Sequence, residues 1–161
     1  MIKKYAFPAV LLLLVLTACR SKHKINQQSD EIYSRHLQRQ VKLTIINTPM
    51  PGDKTELNLL ILNDGQDMEK LGVKEALDSL YKKGLIRPLL IVGVHAGDRE
   101  QEYGVAGYPD FLKRGDKAGF YDAFINNELY PFAKKNATVR KFKTVAIAGC
   151  SLGGLSAFDI A

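Results

Sequence analysis

Thr144-Val145-Ala146-Ile147-Ala148-Gly149-Cys150-Ser151-Leu152-Gly153-Gly154 is the stretch that decides the fold. Its first five residues are small, apolar and partly β-branched, which suits a strand covered on both faces. Gly-x-Ser-x-Gly follows, and Leu155 to Ala161 then resumes an apolar helical pattern. A chain passing from strand to helix in so few residues bends sharply, and glycines flanking the serine remove the Cβ atoms that would clash in the bend. Ser151 is then expected in a strained position with its hydroxyl clear of the sheet. The helix behind it turns its N-terminus, with unpaired N–H groups and the positive end of its dipole, toward the same point. The combination reads as a nucleophile beside a place for negative charge. A Gly-rich phosphate-binding turn is the competing reading, and the segment lacks the lysine of a P-loop. Cys150 precedes the serine, so its side chain is expected to point inward as a small buried thiol.

Working outward, strand and helix patterns alternate. Val41, Leu43 and Ile45 alternate with polar residues along Gln40 to Asn47, a half-buried strand. Pro49-Met50-Pro51-Gly52-Asp53 is a turn cluster. Leu57 to Leu62 and Pro88 to Val94 are short apolar runs of the kind buried on both faces. Between them Met68 to Lys83 reads as an amphipathic helix, with Leu71, Ala76, Leu77 and Leu80 inward and Gly84 just past its end. A long polar loop, His95 to about Lys117, leads into a second helix, Phe120 to Lys135. That helix carries Phe120, Phe124, Leu129 and Phe132 near one face and is kinked or ended by Pro131. Buried strands alternating with helices predict βαβ units and a mostly parallel sheet flanked by helices.

The beginning of the chain follows a different logic. Lys3 and Lys4 precede an apolar run from Ala6 to Leu16, shorter than the ~20 residues a membrane span needs. Leu16-Thr17-Ala18-Cys19 resembles a bacterial lipobox. Residues 1–18 are therefore expected to be a lipoprotein signal peptide, with Cys19 acylated and holding the protein to a membrane of the cell envelope. Residues 19–30, polar and without periodicity, are expected to be a flexible tether, and 31–161 the folded domain. The formal charge is +6, or +4 without Lys3 and Lys4, and its basic residues do not cluster as a nucleic-acid binder's do. Cys19 and Cys150 each have a separate explanation, so no disulfide is expected.

Four segments in order, Ser34-Arg35-His36-Leu37-Gln38-Arg39, Leu62-Asn63-Asp64-Gly65-Gln66-Asp67, Arg99-Glu100-Gln101-Glu102-Tyr103-Gly104 and Gly149 to Gly154, carry a family likeness. Together with Glu128-Leu129-Tyr130-Pro131-Phe132 they resemble the esterase D-like family of α/β-hydrolases, which includes enterochelin, feruloyl and acetylxylan esterases, S-formylglutathione hydrolases and mycolyltransferases. The likeness runs from about residue 30 to Ala161. It implies an α/β-hydrolase fold and a serine ester hydrolase acting on a small-molecule, saccharide or siderophore ester, without a cofactor. It also implies Ser151 as nucleophile and the backbone N–H groups of Leu152 and Gln66 as the oxyanion hole. Gly65, next to Gln66, is read as allowing close backbone approach to a substrate.

In this fold the triad runs Ser, then Asp or Glu, then His, and only ten residues follow Ser151. The sequence is accordingly expected to be an N-terminal piece, cut after the elbow and inactive alone. Asp159 reads as a surface residue and His95 as a loop histidine at the carboxyl edge of a strand. The loop carrying His95, Arg99, Glu102 and Tyr103 is expected to wall the substrate. Glu100 and Glu102 are read as ion-pairing with Arg99, since no His or Cys stands at metal-ligand spacing. The rivals are a non-catalytic lipid-anchored scaffold and a peptidase or acyltransferase on the same fold.

Overall fold

The computed structural model describes residues 24–50 and 56–161. Residues 1–18, expected to be a signal peptide, lie outside the described residues, as do Cys19, His23 and positions 51–53 of the turn cluster. Five strands, β1 (Asn26–Ser34), β2 (Arg39–Asn47), β3 (Asn58–Asn63), β4 (Leu89–Val94) and β5 (Val145–Ala148), form one sheet in the order β1-β2-β4-β3-β5. β1 pairs antiparallel with β2 and β2 with β4, whereas β3 is parallel to both β4 and β5. All strands but β2 thus run in one direction, and their carboxyl ends meet along one rim. This is the mixed sheet of an α/β-hydrolase fold.

The period of two along each central strand divides the core. Leu59 and Ile61 of β3, with Leu90, Val92 and Val94 of β4, face one side. There they meet α3 (Ala118–Phe124), the turn that follows it and α4 (Tyr130–Asn136) through Tyr121, Phe124, Leu129 and Ala133. The side chains of α5 (Leu152–Ile160) that join this core are Leu152 and Ile160. Ile46 and Ile91 face the other side, where α1 (Val73–Lys82) packs with Val73, Leu77 and Tyr81. Burying each such aliphatic side chain contributes about 1.5–3 kcal/mol, which explains why β3 and β4 read as continuous apolar runs.

Several elements differ from the sequence expectation. Residues 26–30, expected in the tether, form the first half of β1, which pairs with β2 along its whole length from Asn26↔Asn47 to Ser34↔Arg39. The strand is largely exposed and is held by its backbone ladder, so it leaves no apolar period to read. α1 starts at Val73, five residues later than expected, because Gly72 is left-handed (φ 63°) and the chain first drops Met68 onto the sheet. Its buried stripe is Val73, Leu77 and Tyr81; Leu71, Ala76 and Leu80 are exposed.

The second helix runs from Ala118 and contains a π turn, Ile125–Leu129, where Tyr130 N–H bonds to Ile125 O. The wider turn comes just before Pro131, which lacks an N–H and sits in the first turn of α4, so the proline is absorbed without ending the helix. Phe120, expected inward, is 55% exposed, and Tyr121 takes its place. The loop after β4 contains a short helix, α2 (Arg99–Glu102). β5, expected to be buried, lies at the edge of the sheet among the described residues, with Val145 47% exposed.

Candidate active site

The chain leaves the rim of the sheet in three neighbouring places: after Asn63 of β3, after Val94 of β4 and after Ala148 of β5. At the third, three residues connect β5 to α5, and Ser151 takes φ 54° and ψ −124°. L-residues rarely adopt that region, and holding one there costs on the order of 1–3 kcal/mol. The flanking glycines make the bend possible. A Cβ on Gly149 would lie 2.4 Å from Gly153 O, and one on Gly153 would lie 2.8 Å from Asp64 Oδ2. Ser151 O starts the helix by accepting from Gly154 N at 2.9 Å and Leu155 N at 3.1 Å. The Leu152 N–H, one of the orphan donors at the helix start, has no acceptor among the described residues.

The turn after β3 is built as tightly. Asp64 is left-handed (φ 59°, ψ 46°) and opens a 3₁₀ turn, Gly65–Asp67. Its N–H donates to Tyr103 Oη at 3.0 Å, and its carboxylate is held by Arg99 through Nε at 2.9 Å and Nη2 at 3.0 Å. The same Nη2 reaches Cys150 O at 3.3 Å. Buried Asn63 ties this turn to α5, donating from Nδ2 to Gly153 O at 2.8 Å and accepting from Tyr121 Oη at 2.6 Å. Burial pushes the Tyr103 hydroxyl up to about 12, so it stays protonated at any physiological pH. The Asp64 contact raises the pKa of Arg99, whose charge is therefore permanent.

Gln66 sits inside the 3₁₀ turn, and its side chain is fixed at both ends. Nε2 donates to Asp64 Oδ1 at 3.2 Å and Oε1 accepts from Ala96 N at 3.2 Å. Its backbone N–H, like that of Leu152, is not taken up by another group among the described residues. Gly65 serves the sheet, contrary to the expectation that it admits a substrate: a Cβ there would lie 2.4 Å from Gly93 C in β4.

A cleft of about 440 Å³ lies between these turns, lined by Asn63, Asp64, Asp67, Arg99, Cys150 and Ser151 with Leu62, Leu71, Ala148 and Gly149. That is within the range for small-molecule sites. No histidine among the described residues lines it. His95 is elsewhere, bonded through Nε2 to Thr44 Oγ1 at 2.8 Å and lining a separate open hollow with Asp30, Glu31 and Lys42. Burial, and to a smaller degree Lys42, lowers its pKa below the ordinary value.

Three other expectations need correction. Cys150 is exposed on the cleft, because the bend turns both Cys150 and Ser151 outward among the described residues. Glu102 and Tyr103 are buried supports, not substrate walls; of the loop residues expected there, Arg99 alone lines the cleft. Arg99 pairs with Asp64, and Glu102 pairs with Arg39 (Nε to Oε1 2.7 Å, Nη2 to Oε2 2.6 Å) while also accepting from Gly97 N. Asn63 and Tyr121 were not singled out from the sequence. A polar residue ending an apolar strand run was the available signal for Asn63, and Tyr121 had none beyond helical spacing.

A sheet with its strand ends on one rim, and a serine lifted on a strained turn into a helix at that rim, is the arrangement of an α/β-hydrolase. The chain belongs to the family described as "Putative esterase", whose model matches residues 34–161. None of the curated proteins compared with it matches. Among solved structures it is similar to the enterochelin esterase of Shigella flexneri, at 24% identity and TM-score 0.66 over 83% of this chain and 32% of that one. An IroE-like serine hydrolase from Shewanella oneidensis gives 23% identity and TM-score 0.67 over 83% and 45% of the two chains. A ferulic acid esterase gives 21% and 0.61 over 84% and 54%. The chain thus spans between a third and just over half of the length of these structures, and at such identities they establish its fold.

Proposed function

We propose that this chain carries the nucleophile of a serine ester hydrolase, with Ser151 attacking the acyl carbon. The observation that carries the reading is the backbone of Ser151, held at φ 54° and ψ −124° between β5 and α5 with the residue on the cleft. Strain of this kind persists only where neighbouring structure imposes it. The N–H groups of Leu152 and Gln66, neither committed to a partner among the described residues, are proposed to receive the oxyanion.

In the reaction the Ser151 Oγ–C bond forms as its proton passes to a base. The alcohol then leaves with that proton, and water releases the acid from the acyl-enzyme. The base and its carboxylate are proposed to come from the part of the fold that this chain does not span, since it covers 32–54% of the similar structures. The 161 residues alone are expected to be inactive. The substrate is proposed to be a small-molecule or saccharide ester; the likeness to an enterochelin esterase and a ferulic acid esterase puts esters of those kinds first in any screen. No cofactor enters the scheme.

Placement in the cell envelope through acylated Cys19 belongs to the same proposal and rests on the sequence of residues 1–19. None of the described helices is long and apolar enough to cross a membrane. In the full-length protein, Ser151→Ala should reduce p-nitrophenyl acetate hydrolysis to the uncatalysed background. Activity surviving that change would remove Ser151 from the mechanism. Cys19→Ser should move the protein from the membrane to the soluble fraction, and unchanged fractionation would refute the anchor.

A further inference from the structure

Arg99 touches two of the three turns at the rim and belongs to the third. It opens α2 in the segment after β4, grips the Asp64 carboxylate after β3 with two nitrogens, and reaches Cys150 O in the bend after β5. We propose that Arg99 is a positioning residue that clasps the Asp64 turn to the serine bend, fixing the spacing between the Gln66 and Leu152 N–H groups. The inference rests on the reading of Ser151 given above and adds a residue to it.

The two proposed donors are on separate turns, and no backbone bond spans from one to the other. Gln66 is two residues beyond Asp64 and is also tied to it through Nε2. Leu152 is two residues beyond Cys150. A group that bonds Asp64 and Cys150 therefore sets both donors at once. Asp64 is at φ 59°, a left-handed conformation that aspartate enters more readily than most residues when its carboxylate is hydrogen-bonded, and Arg99 supplies those bonds. Asn63 braces the same two turns through Gly153 O, so Arg99 is the exposed member of a pair of braces whose other member is buried.

Stability alone is a poor account of this contact. The Arg99 side chain is 37% exposed and that of Asp64 12%, so the pair is partly open to water, and attraction between charges alone would not call for an arginine. What the planar guanidinium adds is fixed direction, with two parallel bonds to one carboxylate and a third donor direction left for a carbonyl. A lysine would keep the charge and lose the fork. Oxyanion donors act through placement, and a shift of ~1 Å costs about 100-fold in rate.

The test uses the full-length enzyme and p-nitrophenyl acetate, with Ser151→Ala measured alongside. For Arg99→Lys, kcat should fall roughly 10- to 100-fold with KM changed less than about twofold. Arg99→Ala should fall further and recover part of its kcat when guanidinium ion is added at millimolar concentration, but not with methylammonium. Wild-type kcat in Arg99→Lys, or a loss that appears only in KM, would overturn the proposal, as would loss of cooperative unfolding in both variants. If Ser151→Ala itself remains active, the reading of the site fails. An inactive Ser151→Ala with a fully active Arg99→Lys defeats the clasp alone.

Discussion

Tyr103 illustrates how a single side chain is decided by its surroundings. Its ring is fully buried, edge-on to Tyr121 at 5.1 Å, and its hydroxyl accepts the Asp64 N–H where the backbone is least comfortable. Phenylalanine would fill the same space and leave that N–H without a partner. The cost of an unpaired buried donor, about 1–3 kcal/mol, should appear as a lower urea midpoint in Tyr103→Phe. An unchanged midpoint would mean that water replaces the hydroxyl. From sequence, Tyr103 belonged to a polar loop and was expected to face a substrate. Nothing local marked it as buried, since its burial depends on α3 packing over it. Ser151, Gly149 and Gly153 were legible because the bend is a local demand, met within five residues. Cys150 was misplaced because its direction depends on how the strained turn is rotated as a whole.

At the scale of elements, β3 and β4 could be read directly, since helices cover both their faces and apolar side chains fill both. β1 could not, because its pairing is made by backbone groups that every sequence carries. The joint between β4 and β2 shows a further effect of pairing. Beyond the last paired residue of β4, His95 N–H donates to Lys42 O, and the ring is set against Thr44 in partial burial. Burial and the Lys42 charge both disfavour the imidazolium, so the folded pKa lies below 6.5. The unfolded chain therefore takes up the proton first as pH falls. The contribution of neutral His95 is whole above about pH 6.5, declines below it and is lost once pH passes the lowered folded value. Urea midpoints measured at pH 7.5 and 5.5 should fall less in His95→Gln than in the wild type. An equal fall in both would show that other groups set the acid limb.

For the whole molecule, the sheet has one rim that gathers the site and two lateral edges with different properties. The β1 edge is mostly polar, running from Asn26 through Glu31 before Ile32 and Tyr33, and its acidic residues discourage pairing with another chain. The β5 edge is apolar: Val145 is 47% exposed, and α5 beside it presents Leu155 and Phe158, the latter 84% exposed. Its sequence resembles a strand with neighbours on both sides, yet among the described residues it pairs on one side only, with β3. Sequence pattern reports the burial for which a strand is suited, and the partner that satisfies it need not lie in the same stretch. An unprotected row of N–H and C=O groups on an apolar strand is a template for association. The 161-residue chain should therefore self-associate at micromolar concentration, seen as light scattering that rises with concentration. Val145→Lys places a charge on that strand, where side-by-side copies would bring like charges together, and should lower the scattering without changing the circular dichroism spectrum. Scattering that persists in Val145→Lys would shift the cause from the strand edge to the exposed face of α5, where Phe158→Lys would then be the effective substitution.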